Sequence, residues 1–193
     1  MATLEAGLTR DEAFALLQEH NKDPFHIEHA ETVEQTMRYF ARELGYGEQE
    51  AFWANVGLLH DLDYPTTAEN PQRHGLDSAD LLADKLPEPA LAAIRAHAAE
   101  MNGGRAESRF DYALRCGESV TGLISAAALM RPTGMEGMEV KSVKKKMKDK
   151  AFAASVSREN IRQCAEAGLE LDAFLALAIE AMRAHADELG LSK

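Results

Sequence analysis

Long apolar runs are missing from this chain of 193 residues. No stretch approaches the roughly 18 to 20 apolar residues that a membrane-spanning helix needs, which argues against a helical membrane protein. Cysteine is almost absent: Cys116 and Cys164 lie far apart and form no C-x-x-C motif. That argues against a disulfide framework and leaves each as a small buried apolar residue. Positive charge is scarce too. With 21 Lys and Arg against 32 Asp and Glu the net charge is −11, the wrong sign for a protein that grips a long nucleic acid by its phosphates. The start, MATLEAGLTRDEA, has neither the basic nor the apolar region of a secretory signal, so a cytoplasmic location is expected. No segment alternates apolar and polar residues with the period of a strand, and no repeat, low-complexity tract or long linker divides the chain.

What is present reads as helix. The length suits one domain with a full hydrophobic core. Thr9 and Glu12 form a T-x-x-E capping box that opens a helix over about 9–19. Pro24 can begin a second, whose stripe of Ile27, Ala30, Val33, Met37, Phe40 and Leu44 is stopped by Gly45 and Gly47. A third, over about 48–61, is nearly continuous in apolar residues and therefore central. After the loop DYPTTAENP come predicted helices over about 72–86, 89–101 and 108–130, the last closed by Arg131-Pro132-Thr133-Gly134. One more short helix carries the basic stretch 141–150; Ser157 and Asp172 read as the N-caps of the final two. The expectation is an all-α domain of about eight helices, with a core over 1–132 and a helical extension over 133–193 packed on it.

The pair His60-Asp61 closes the most apolar helix. Two strongly polar side chains there are costly unless something pairs them, and a divalent cation does so. A cap or surface pair where helix meets loop is the plainer alternative. His29 lies beside Val33 at the edge of the second helix's apolar stripe, and His26, one turn earlier, competes with it.

His29, then His60-Asp61 within LLHDLDYP, then an acid in a long downstream helix, resembles the H…HD…D signature of the HD superfamily of helical, metal-dependent phosphohydrolases. The stretch ESVTGLISAAALMRP and the later MEVKSVKKKMKDKAFAASVSRENI are similar to the C-terminal part of small bacterial HD proteins, so the resemblance runs from roughly Asn21 to Met182. It implies His29, His60 and Asp61 as metal ligands, and it puts the family's last Asp on Glu118. That is a departure, because the same carboxylate sits on a stem one methylene longer. Asp111, two turns earlier on a similar face, is the second choice. Members with two metals use further histidines between the pair and the last acid, and His74 and His97 resemble these. Asp63 is expected to act as a hydrogen-bond or proton acceptor, or to cap the loop.

The stretch 141–150 contributes +5 and leaves the rest of the chain at −16. Lys141, Lys144, Lys145 and Lys148 share one helical face, which reads either as a solvated surface or as point charges for a phosphate. Lys144 and Lys145, with Arg105 and Arg109 beside the Gly-Gly break, are the candidates to bind substrate phosphate. The implied activity is hydrolysis of phosphate mono- or diesters, nucleotides among them, by metal-bound hydroxide, with Asp61, His60 and Asp63 as catalytic residues. One or two divalent ions are implied; the N/O ligands suit Mn, Fe, Co, Ni or Zn better than Mg. The expected partner is a small phosphorylated substrate, without membrane or long nucleic acid, and a homodimer stays open. A non-catalytic ligand sensor on the same scaffold and a di-iron oxygenase are the rival readings.

Overall fold

The computed structural model describes residues 7–193, so the first six residues, part of the segment read for a secretory signal, lie outside it. Twelve α-helical elements run through the described residues, with no strand among them. They are α1 (Arg10–His20), α2 (Pro24–Glu43), α3 (Glu50–Leu59), α4 (Tyr64–Thr67), α5 (Leu76–Leu82), α6 (Glu88–His97), α7 (Ala99–Asn102), α8 (Arg109–Leu129), α9 (Val140–Lys148), α10 (Arg158–Arg162), α11 (Cys164–Ala167) and α12 (Leu171–Ala184). Eight of these have seven or more residues. No described helix is long and apolar enough to cross a membrane.

Helix starts follow local chemistry. The Thr9 hydroxyl accepts from the Glu12 N–H and the Glu12 side chain answers to the Thr9 backbone, closing the capping box. Ser157 caps α10 by accepting from the Asn160 N–H. Two expectations need correction. The helix over 72–86 is only α5, because Gly75 has a φ of 77° and breaks the run after a short 3-10 turn. The last helix has Glu170 rather than Asp172 at its N-cap position, with no side-chain capping bond, and Asp172 instead pairs with Lys144 at 2.6 Å.

α2 and α3 lie at the centre, α3 being buried from Phe52 to Leu59 without interruption. The crossing is tight. A Cβ on Gly57 would stand 2.9 Å from the Val33 carbonyl oxygen and 3.0 Å from Met37 Cγ. Glycine there is what allows α3 to settle onto α2. α8 packs on α2 and α6, α1 on α3, α5 on α6, and α12 on α2 and α8. Phe174 of α12 meets Phe40 of α2 at 5.1 Å between ring centroids, so residues beyond 133 share the same hydrophobic core. Cys116 and Cys164 are free buried thiols within it.

Candidate metal centre

The close approach at Gly57 sets up the first half of the site. His60 comes one turn after Gly57 and His29 one turn before Val33, so the glycine contact faces the two rings at 5.5 Å. Asp61 follows immediately, with its Oδ2 4.0 Å from His29 Nε2. The second half comes from the loop before α5 and the end of α6. His74 Nε2 stands 3.4 Å and His97 Nε2 3.1 Å from Asp61 Oδ1, and the two nitrogens are 3.3 Å apart. His60 Nε2 is also 3.4 Å from that oxygen.

Two groups that could hold a metal ion result, His29–His60–Asp61 and Asp61–His74–His97, each with its donor atoms within 4.8 Å of one another. Asp61 belongs to both. His26, the competitor of His29, belongs to neither; its ring lies 4.3 Å from Tyr64.

Three imidazoles are held ready by their other nitrogen. His60 Nδ1 donates to the Gly57 carbonyl at 2.7 Å and His97 Nδ1 to that of Ile94 at 2.6 Å. His74 Nδ1 donates to Asp63 Oδ1 at 2.8 Å. Each bond commits Nδ1 and aims Nε2 at Asp61, the arrangement by which metal-ligating histidines are oriented. Yet His60 Nε2 and Asp61 Oδ1, both buried, have no hydrogen-bond partner among the described residues. Buried polar atoms left in this way are costly, and a cation between them removes the cost. Mixed imidazole and carboxylate donors suit a first-row divalent ion, so the residues fit the metal that the sequence implied.

The electrostatics agree. Burial pushes His60 down to about 3, so it stays neutral and can ligate. Burial also works to raise Asp61, but His60, His97 and His74 around it outweigh that and hold it well below the usual carboxylate range. For His97, burial lowers and the Asp61 carboxylate raises, and the carboxylate wins. His97 is therefore held above the ordinary imidazole range, and a cation would compete with its proton for Asp61.

Asp63 orients the site from behind. Besides His74, its carboxylate accepts from the Gly75 N–H at 2.7 Å and the Ser78 N–H at 2.9 Å. Burial alone would raise it; the His74 and Ser78 hydrogen bonds reverse that and keep it below 3.8. Its hold on the loop is therefore complete at neutral pH and is lost only as the pH falls through that depressed value. Asp63→Asn should keep the fold but weaken metal at the His74 half by about 10- to 100-fold, read by metal titration. An unchanged affinity would reduce Asp63 to a loop cap.

Glu118 stands outside both groups, its Oε2 accepting from the adjacent Ser119 hydroxyl at 2.8 Å. Its carboxylate still helps to hold the His97 imidazole up, so Glu118→Ala should make His97 easier to deprotonate while the two groups keep their own donors; loss of an ion by elemental analysis would make Glu118 a further ligand, as the resemblance implies. Asp111, the second choice, is committed elsewhere: it completes a capping box with Ser108 at the start of α8.

The expected phosphate-binding cations are dispersed. Lys144 is paired with Asp172, and Lys145 is exposed in a groove with Lys141, Lys148 and Val140. Phe174, two residues past Asp172, packs on Phe40, which lies about 16 Å along α2 from His29. Arg109 is exposed and lies beside Gly168 and Leu44, at the same far end of α2. Arg105 is nearer in the chain: it follows Asn102, whose side chain donates to the His74 carbonyl at 2.8 Å. Its own side chain is 84% exposed and 4.0 Å from Glu107.

Sequence reasoning missed two supports. The buried Arg115 guanidinium donates to the carbonyls of Ala96 at 3.0 Å and His97 at 3.1 Å, tying the end of α6 to α8. Gly75 lets His97 approach, since a Cβ there would stand 2.7 Å from the Ile94 carbonyl oxygen and 3.2 Å from His97 Cε1. A glycine directly after a candidate ligand was the available signal.

No curated protein and no solved structure matches the chain. The HD domain family model matches residues 26–147, a span that includes both histidine groups and extends through most of α9. With more than half of its length inside that match, the chain belongs to the HD domain family.

Proposed function

We propose that this protein is a metal-dependent hydrolase of phosphate mono- or diesters whose two candidate ligand groups, sharing Asp61, would each hold a divalent ion. The observation that carries the reading is the crowding of His60, His74 and His97 Nε2 atoms within 3.1 to 3.4 Å of one carboxylate oxygen that has no hydrogen-bond partner among the described residues. Divalent ions held there would bring the pKa of water towards neutrality and polarise a phosphoryl oxygen. The chain's own part is to fix the donors. His29, His60 and Asp61 form one face, His74 and His97 the other, and Asp63 holds His74 in the ligating tautomer. Low exposure of His60, His74 and His97 limits water around the reacting group, which strengthens each electrostatic contact. Of the four expected phosphate-binding cations, Arg105 is the one whose segment touches the site, through Asn102 on the His74 carbonyl.

The test is a panel of phosphate mono- and diesters offered to protein loaded in turn with Mn, Fe, Co, Ni and Zn. Metal-dependent release of phosphate or of a nucleotide product is expected. Full loading with no turnover of any ester would sink the hydrolase reading. That result would favour a ligand sensor on the same scaffold, a second reading that draws on Glu118 lying outside both ligand groups.

A further inference from the structure

The metal centre is continued outwards by a line of rings. His97 meets His74 at 4.8 Å between centroids, His74 meets Tyr64 at 5.8 Å, Tyr64 meets His26 at 4.3 Å, and His26 meets Phe25 at 5.7 Å. The inner end of this line is a candidate ligand pair; the outer end is open to solvent, with Tyr64 38% and Phe25 62% exposed. Phe25 is also tied to the other half of the site. It precedes His29 by four residues in α2, one helical turn, so the two side chains share a face.

Single exposed apolar residues are ordinary on a protein surface and need no explanation. These two differ in position. They are on separate elements, the first turn of α2 and the start of α4, and they meet through His26 beside the metal ligands. The first turn of α2 is also fixed, since the Asp23 side chain accepts from the Phe25 N–H at 2.9 Å. An aromatic surface held in place beside a reactive centre offers π-faces to a flat ligand, and stacking on such a face tolerates any planar ring.

We infer that Phe25, Tyr64 and His26 form a ledge that selects phosphate esters whose alcohol carries a planar ring, of which a nucleobase is one example. The inference rests on the hydrolase reading for the phosphate's location, but it concerns recognition and can fail or stand by itself. His74, Tyr64 and His26 follow one another at 5.8 and 4.3 Å between centroids, so a ring over Phe25 would lie outward of a phosphate at the histidines, along the same line of side chains. The imidazole of His26 and the phenol of Tyr64 can each also donate or accept a hydrogen bond at the edge of the bound ring.

The experiment is calorimetric titration of the metal-loaded protein with methylenephosphonate analogues of AMP and of glycerol phosphate, which cannot be hydrolysed. Wild type is expected to bind the AMP analogue about 10- to 100-fold more tightly than the glycerol analogue. Phe25→Ala and Tyr64→Ala are each expected to cut that ratio severalfold, with the metal content checked in the same samples. A ratio near one in wild type, no binding of either analogue, or a ratio unchanged in both variants would overturn the ledge. Hydrolysis is read separately with the natural esters. If no ester is turned over while the ratio and its loss persist, the ledge stands and the hydrolase reading falls. Turnover of esters without the ratio gives the reverse.

Discussion

Asp61→Ala is expected to strip both ions from the protein and to lower phosphoester turnover by at least about 10²- to 10³-fold. The reason is that Asp61 is the one residue common to both ligand groups. Replacing His29 would cost the first group a ligand, and replacing His97 the second, but in each case the other group retains its donors. Removal of Asp61 takes from three buried imidazoles the acceptor to which their Nε2 atoms point, at 3.1 to 3.4 Å. It also removes the charge that holds His97 up against its burial, so His97 should become easier to deprotonate. Elemental analysis of tag-free protein, beside the His29→Ala and His97→Ala variants, checks the pattern. Two ions in wild type, one in each histidine variant and none in Asp61→Ala is the expected series. One ion retained by Asp61→Ala would mean that the histidines bind without it, and the shared carboxylate would lose its place in the reading.

The residues of that site differ in how far the sequence betrayed them. His60 and Asp61 were legible because they end a helix that is otherwise apolar, where any polar pair needs a partner. His29 was legible only through the resemblance to the HD superfamily, since His26 competed with it on the same helix until α2 turned His29 towards Asp61 and His26 towards Tyr64. Caps were legible for the same local reason: Thr9 with Glu12, and Ser157, act within one turn of themselves. Asp111 shows the limit of face arguments. Its helical face was compatible with the site, but Ser108 three residues earlier claims its carboxylate first. Tertiary contacts were not legible. Neither the pairing of Lys144 with Asp172 nor the use of Asp63 by His74, Gly75 and Ser78 follows from any local pattern. The ligand histidines nevertheless depend on such contacts, and on two glycines at places where another backbone comes too close for a side chain.

Gly75→Ala should combine a stability loss with a specific loss of metal. The left-handed backbone at Gly75, φ 77°, costs an L-residue about 1–2 kcal/mol. The added methyl would also stand 2.7 Å from the Ile94 carbonyl and 3.2 Å from His97 Cε1, and forcing it in costs about 1–3 kcal/mol more. Together these make about 2–5 kcal/mol, which for a chain of this size lowers the melting temperature by roughly 5–15 °C. The displaced atoms belong to the second ligand group, so the ion between Asp61, His74 and His97 should be lost while the His29 half keeps its own. Gly45→Ala supplies the control. Its φ of 83° imposes the same backbone strain, but nothing lies within 4 Å of the new methyl. It should therefore cost only the first of the two amounts, about 1–2 kcal/mol, and keep both ions. Thermal melts and metal counts on the two variants separate strain from contact. Equal melting losses with full metal in both would mean that the loop at Gly75 yields without moving His97. A larger loss at Gly75, accompanied by one missing ion, would tie the packing of that glycine to the assembly of the second metal group.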